Sequence, residues 1–227
     1  NYSFLEGASR PGELVFEASR LGLAAIGVAD RNSLAGVVRA HMAAKDEKMR
    51  LLVGCRLQFL DGAELIVYPR DRAAYGRLCR LLSEGKAGEA LTAPAAEPAD
   101  NDNADKDRIQ KGDCRLSFEQ AVARGEGLIA LAVAPAVIDG GFEARLKAWA
   151  KAWPDKLYLA VSPSNRGDDV ARLNRLAAIA GRAKAPMVAT GGVLYHDAGR
   201  RPLQDVLTCV REGCTIDEAG ARLQANA

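Results

Sequence analysis

Histidine is scarce in this 227-residue chain, with only His41 and His196. A centre built on several imidazoles is therefore excluded from these residues. The five cysteines (Cys55, Cys79, Cys114, Cys209 and Cys214) are odd in number and contain no Cys-x-x-Cys pair. They read as reduced thiols of a cytoplasmic protein, acting as small hydrophobes. Cys209-x4-Cys214 alone does not supply a zinc site. No apolar run reaches about 18 residues, so no segment reads as a membrane span. The net charge of +2 is too small for a whole-domain nucleic-acid footprint. Arg70, Arg72, Arg77, Arg80, Arg200 and Arg201 lack aromatic stacking partners and read as solvated surface rather than as phosphate contacts. Neither G-x-G-x-x-G, Walker A nor G-x-S-x-G occurs, which removes the usual nucleotide-binding and serine-nucleophile signatures. The chain opens on Asn1 with no charged and apolar leader, and reads as a piece of a longer protein.

What is present is a hydrophobic content of 48%, enough for one large domain or two small ones. Helical and strand-like segments alternate. Pro11 to Leu21 has helical spacing, Leu23 to Ala29 reads as a buried strand, and Ser33 is expected to cap a helix running to Lys45. Leu51 to Leu60 and Ala63 to Tyr68 form a strand pair joined by Asp61-Gly62. Asp71 to Ser83 reads as a helix with Tyr75, Leu78, Cys79 and Leu82 inward. Residues 86–112 are acidic and poor in hydrophobics, and read as a flexible insertion within one domain spanning 1–227. Helices are expected over 117–124, 142–153, 168–183, 202–211 and 215–223, and strands over 128–133, 157–161 and 186–190. This alternation predicts a mostly parallel α/β fold, more in keeping with a closed or distorted barrel than with an open sheet.

Parallel α/β folds place their chemistry at the carboxyl ends of strands, which singles out three places. Asp30 follows the first strand and offers a ligand or base, or else a turn-forming carboxylate. Arg31 beside it is a permanent cation that cannot ligate a metal. Arg56, in Gly54-Cys55-Arg56, is either a surface arginine or a member of a salt-bridge cluster with Asp30 and Arg31. Gly191-Gly192 either admits a phosphate or makes a turn, and His196 reads as a surface or helix-entry residue rather than as a ligand.

Three blocks then carry a resemblance. They are Asn1-Tyr-Ser-Phe-Leu-Glu-Gly-Ala-Ser-x-Pro-x-Glu-Leu14, Gly27-Val-Ala-Asp-Arg-Asn-Ser-Leu-Ala-Gly36 with its continuation to Ala44, and Leu194-Tyr-His-x-Ala-x-Arg-Arg-Pro-Leu203 with its continuation to Ala219. Together they resemble the amino-terminal PHP (polymerase and histidinol phosphatase) domain of bacterial C-family DNA polymerases, on the error-prone, damage-inducible alpha-subunit branch. The resemblance implies a distorted (β/α)7 TIM-like barrel with metal ligands at the strand ends. Metal-binding members begin with a His-x-His strand, which would lie before Asn1. Where they carry Asp-His, this chain has Asp30-Arg31, and where they carry Gly-x-Glu it has Gly54-Cys55-Arg56. Where they carry Asn-Asp-Val-His-Tyr it has Gly191-Gly192-Val193-Leu194-Tyr195.

The resemblance therefore implies a degenerate pocket around Asp30, Arg31, Arg56, Gly192, Leu194 and His196. It implies no catalytic residue and no metal in these 227 residues, because two arginines repel cations where carboxylates and imidazoles would gather them. For the parent it implies a DNA-directed DNA polymerase, a nucleotidyltransferase of damage-induced translesion synthesis, DNA repair and replication, with Mg²⁺ in its polymerase core. The implied partners are the remainder of the polymerase chain, DNA and deoxynucleotides for the parent, and the sliding clamp and other mutagenesis proteins, with no membrane. Two rival expectations are a metal-dependent phosphoesterase or pyrophosphatase using Asp30, His196 and histidines upstream of Asn1, and a docking module acting through residues 86–112.

Overall fold

Two periods are written along the chain, an alternation of two in the strands and of three to four in the helices, and their succession builds the sheet. The structure, a computed structural model, describes residues 3, 5–87, 113–163, 165 and 167–223. Its elements run α1 (Pro11–Arg20), β1 (Ala25–Arg31), α2 (Val37–Asp46), β2 (Arg50–Gln58), β3 (Glu64–Pro69), α3 (Arg72–Ala87), α4 (Phe118–Ala123) and β4 (Leu128–Val133). They continue with α5 (Gly140–Ala152), β5 (Leu157–Val161), α6 (Asp169–Ala183), β6 (Met187–Ala189), α7 (Arg201–Glu212) and α8 (Ile216–Ala219), the last two each adjoined by a single 3₁₀ turn.

The six strands lie in one curled half-barrel in sequence order, β1-β2-β3-β4-β5-β6. Among the described strands only β3 runs antiparallel to its neighbours, because the Phe59–Ala63 turn, with Gly62 at φ +79°, returns the chain beside β2. The remaining strands are parallel, so the ends of β1, β2, β4, β5 and β6 share one rim with the start of β3. Alternation divides each strand between the two faces of the sheet. Leu57, Leu65, Val67, Leu128, Ala130, Leu157 and Leu159 face the helices and form the core with Leu78, Leu81, Leu146, Trp149, Leu176 and Ile179.

Most expected elements are present, and several details change. The helix expected from Ser33 starts at Val37, with Gly36 as its N-cap, and Ser33 Oγ instead accepts from the Ala35 amide at 3.1 Å. The reason is Asp30, whose carboxylate takes the Gly36 N–H and holds the intervening residues in a turn. The first strand starts at Ala25 rather than Leu23 and is only half-buried, since it is paired on one edge. In α3 the inward residues are Ala74, Leu78, Leu81 and Leu82, while Tyr75, expected inward, is exposed and Cys79 is half-buried. Residues 86 and 87 complete α3, and the remainder of the expected insertion, 88–112, lies outside the described residues. The last expected helix, 215–223, is shorter: α8 ends at Ala219 and a 3₁₀ turn follows.

The α5–α6 contact carries an acid-sensitive tie. Glu143 accepts from Arg182 Nε and Nη2 at 2.9 and 2.8 Å and pairs with Lys147 at 2.8 Å. These cations hold its carboxyl down at about 2, against an ordinary value of 4.5. A depressed acid contributes fully above its unfolded value and loses that contribution as pH falls through its folded one. The melting temperature of Glu143→Gln is therefore expected to converge on that of the parent chain between about pH 4.5 and 2. An unchanged gap across that window would contradict the assignment.

Candidate functional site

Register decides what meets at the rim. In the β1–β2 ladder Asp30 is opposite Cys55 and Arg31 is opposite Arg56. Successive side chains point to opposite faces, so Arg31 and Arg56 share the inner face of the curl while Asp30 and Cys55 share the helix-packed one. The cluster of Asp30 with Arg31 and Arg56 considered from the sequence therefore does not form.

Instead, each arginine has its own glutamate. Arg56 donates to Glu64 Oε2 from Nε and Nη2, at 3.2 and 2.5 Å. Glu64 starts β3 opposite Gln58, one diagonal step from Arg56 on the same face. Arg31 pairs with Glu6, in the segment leading to α1. Two like charges placed directly across a ladder oppose sheet formation, and these two carboxylates offset that repulsion. Burial, together with the guanidiniums of Arg56 and Arg211, pushes Arg31 below its ordinary value, and Glu64 opposes the shift.

Asp30 is buried, and both of its oxygens are engaged. Oδ1 accepts from Ser3 Oγ and Oδ2 from the Gly36 amide, each at 3.1 Å. Ser3 Oγ in turn accepts from the Arg31 amide at 2.9 Å. Asn32, at φ +46°, accepts from the Gln58 amide through Oδ1 and stitches the ends of β1 and β2 together. Cys55 donates to the Asp30 carbonyl at 3.4 Å, and burial pushes its thiol up to about 12. It is thus neutral at any physiological pH, which suits neither a thiolate ligand nor a nucleophile.

The other sequence candidates lie on the loop after β6. Gly192 adopts φ +56°, and the Leu194 carbonyl accepts from the Ala8 amide at 2.8 Å. His196 is anchored to buried Ser9, whose Oγ lies 2.7 Å from Nδ1 and accepts the His196 amide at 2.9 Å. Glu13 lies 3.9 Å from His196 Nδ1 and 2.7 Å from Arg200 Nη2. The Arg10 amide, followed by Arg200 and His196, holds the Glu13 carboxyl below its ordinary value. His196 thus fastens the loop to α1. Among the described residues, no three His, Cys, Asp or Glu side chains gather as a metal-ligand set. Of the arginines read as surface, Arg77 bonds the Glu126 carbonyl through Nε and Nη2, and Arg201 lies 3.8 Å from Asp205.

Sequence reasoning missed Glu6, Glu64 and Ser3. Glu64 had a signal: counting back from the Asp61-Gly62 turn puts it on the face of Arg56. Glu6 had none, because it lies in irregular chain brought to Arg31 by tertiary folding.

Comparison with known proteins identifies the family and the fold. Residues 1–162 match the model of the PHP domain. The chain is 47% identical over 228 residues to an error-prone DNA polymerase of Caulobacter vibrioides, and 46% over 233 residues to one of Bradyrhizobium diazoefficiens. Each match takes in 100% of this chain but 19% of the relative, so the chain spans about a fifth of those proteins. Among solved structures, a putative metal-dependent phosphoesterase from Bifidobacterium adolescentis superposes with a TM-score of 0.55 at 18% identity, covering 86% of this chain and 85% of its own. An amidohydrolase from Chromobacterium violaceum gives 0.58 at 17%, covering 86% and 84%; at such identities the likeness speaks to fold alone. With its rim of parallel strand ends, half-barrel sheet and matching family model, the chain belongs to the PHP domain family.

Proposed function

We propose that this chain is the amino-terminal domain of an error-prone DNA polymerase acting in damage-induced translesion synthesis, and that the domain itself is a non-catalytic scaffold that has given up its metal site. The observation that carries the reading is the pairing at the rim. Arg31 and Arg56 face each other where the family places ligands, each neutralised by a glutamate from another segment. The residues present do not fit a resident metal cluster, because both oxygens of Asp30 are occupied on the opposite face and the inner-face carboxylates of Glu6 and Glu64 are each taken up by an arginine. The ion pairs tie β1 to the segment before α1 and β2 to β3, the cross-linking that a bound metal would otherwise supply.

In this reading, primer extension belongs to the rest of the parent, with Mg²⁺ in its polymerase core and DNA, deoxynucleotides, the sliding clamp and other mutagenesis proteins as its partners. The domain contributes a stable platform in the cytoplasm. No described helix is long and apolar enough to cross a membrane.

The test is elemental analysis of the polymerase purified without chelator, joined to melting of rim variants. Zn, Mn and Fe are expected to be far below one equivalent after dialysis. Arg31→Ala and Arg56→Ala are each expected to cost about 1 kcal/mol, since both guanidiniums are partly solvated. Stoichiometric metal that survives dialysis, with phosphoesterase activity lost on Asp30→Ala, would replace this reading with that of a metal-dependent phosphoesterase. Unchanged melting in both arginine variants would remove the bracing role.

A further inference from the structure

Helix α7 ends on a pair of thiols. Its inward side is Gln204, Thr208 and Cys209, while Leu203, Val206 and Val210 are exposed. Hydrogen bonds to the segment before α1 fix that orientation. Gln204 Nε2 donates to the Glu6 carbonyl at 2.9 Å, and Arg211 Nη1 donates to the Leu5 carbonyl at 3.2 Å. Cys209 is thereby buried, and Cys214, two residues beyond the helix, is half-buried.

The way α7 stops brings these two residues together. Gly213 takes φ +63°, the left-handed conformation that ends a helix, and the Cys214 amide donates back to the Cys209 carbonyl at 3.1 Å. This is the hydrogen bond of a Schellman cap, in which the residue after the glycine packs its side chain against the one five positions earlier. Here both residues are cysteine. The two thiols lie within hydrogen-bonding reach, and after burial the Cys214 thiol is the main cause that pushes the Cys209 thiol above its ordinary value. A disulfide requires two cysteines whose backbones already stand close, and this cap holds them so. Among the described residues no third ligand joins them, so the pair does not make a metal site.

We propose that Cys209 and Cys214 are a modification site that forms a reversible intramolecular disulfide on meeting a peroxide. Cys214, the more accessible of the two, reacts first. Its thiolate sulfur attacks one oxygen of hydrogen peroxide, the O–O bond breaks, hydroxide leaves, and Cys214 becomes a sulfenic acid. The Cys209 thiolate then attacks the Cys214 sulfur, the S–O bond breaks, and a second hydroxide leaves. Each hydroxide takes up the proton released by one thiol. Two thiols and one hydrogen peroxide thus give one disulfide and two waters, with two electrons passing from the sulfurs to the peroxide. A dithiol reductant restores both thiols by exchange. The pair is reduced in this structure, as a reducing compartment would keep it. Burial makes Cys209 a poor first target and suits it to the second step, where its partner is already in contact. The bond would fasten the last turn of α7 to the residue directly before Thr215, the N-cap of α8. That turn carries Arg211, which holds the Leu5 carbonyl.

The inference goes beyond the scaffold reading and does not depend on the domain's metal content. The test treats the native full-length protein with hydrogen peroxide, then denatures it, blocks the remaining thiols with N-ethylmaleimide and digests it with trypsin without reductant. Cleavage after Arg200, Arg211 and Arg222 separates the two cysteines, so the disulfide joins peptide 201–211 to peptide 212–222 at their summed mass less two hydrogens. This linked pair, from protein that runs as a monomer on a non-reducing gel, is expected to be the main oxidised form of both peptides. Dithiothreitol added before the blocking step is expected to abolish it. In Cys214→Ser, Cys209 is expected to stay alkylated at a peroxide dose that links the parent chain. Recovery of both peptides as their maleimide adducts would overturn the proposal. So would Cys214 sulfinic acid without linkage, a bond to Cys55, Cys79 or Cys114, or a bond between two copies. Oxidation of Cys209 in Cys214→Ser as fast as in the parent would overturn the relay from Cys214.

Discussion

Trp149→Ala is expected to lose about 3–5 kcal/mol, a large fraction of a typical domain's stability. Trp149 is almost fully buried on α5 and stands 6.1 Å, centroid to centroid, from both Phe59 and Phe118. Phe118 continues the cluster to Trp153 at 5.8 Å, and Trp153 Nε1 donates to the Gly125 carbonyl at 3.2 Å. Three separate pieces therefore share one aromatic contact: the β2–β3 turn, α4 and α5. Removing the indole leaves a void they cannot close together, because each is pinned by its own backbone pairing. For a chain of this size the loss corresponds to a fall in Tm of about 10 °C. Trp149→Phe, which keeps ring contact with Phe59 and Phe118, should lose substantially less. A melting curve indistinguishable from that of the parent would show that the cluster does not hold these elements together.

Gly54→Val should cost about 2–3 kcal/mol through overpacking rather than a cavity. Gly54 lies on the inner face of β2, and the Tyr68 ring from β3 lies across it toward Gly27 on β1. A Cβ at position 54 would stand 2.5 Å from Tyr68 Cε1, 2.8 Å from Cδ1 and 3.0 Å from the Val67 carbonyl. The carbonyl belongs to the paired strand and cannot retreat without breaking the ladder. The ring is hemmed by burial, which also pushes the Tyr68 phenol above its ordinary value. In a double-mutant cycle, Tyr68→Ala should recover part of the cost of Gly54→Val, because it removes one of the two clashes and leaves the other. Additive effects would mean that the ring and the glycine do not share this space. Gly54 directly precedes Cys55-Arg56, so the same close approach sets where Arg56 emerges at the rim.

The pocket residues illustrate how far local sequence carries. Asp30-Arg31-Asn32 after an apolar run marks a strand end, and the structure places it there. Period-two alternation already separates Asp30 from Arg31, since adjacent strand residues face opposite ways. The arginines' partners were only half legible. Glu64 follows from the hairpin register, whereas Glu6 reaches Arg31 across irregular chain that no spacing predicts. His196 is similar: its helix-entry position is local, but its bond to Ser9 spans the whole domain.

The helices divide in the same way. For α3 and α6 the apolar spacing and the buried face agree in part: Leu78, Leu82, Leu176 and Ala180 turn inward, whereas Tyr75 and Val170 are exposed. For α7 they are opposed. The spacing of Leu203, Val206 and Val210 determined that the segment is an amphipathic helix, and hydrogen bonds to Leu5 and Glu6 decided which side turned inward.

By itself the sequence determined the order of strands and helices, the turn at Asp61-Gly62, the rim position of Asp30 and the presence of arginines at the strand ends. These are properties of neighbours a few residues apart, fixed by side-chain period and backbone conformation. Tertiary structure alone decided that Arg31 and Arg56 would each find a glutamate, that Asp30 would turn away to cap a loop, and that α7 would present its apolar side outward. Those outcomes depend on segments distant in sequence meeting in space, where burial and hydrogen bonding outweigh local preference.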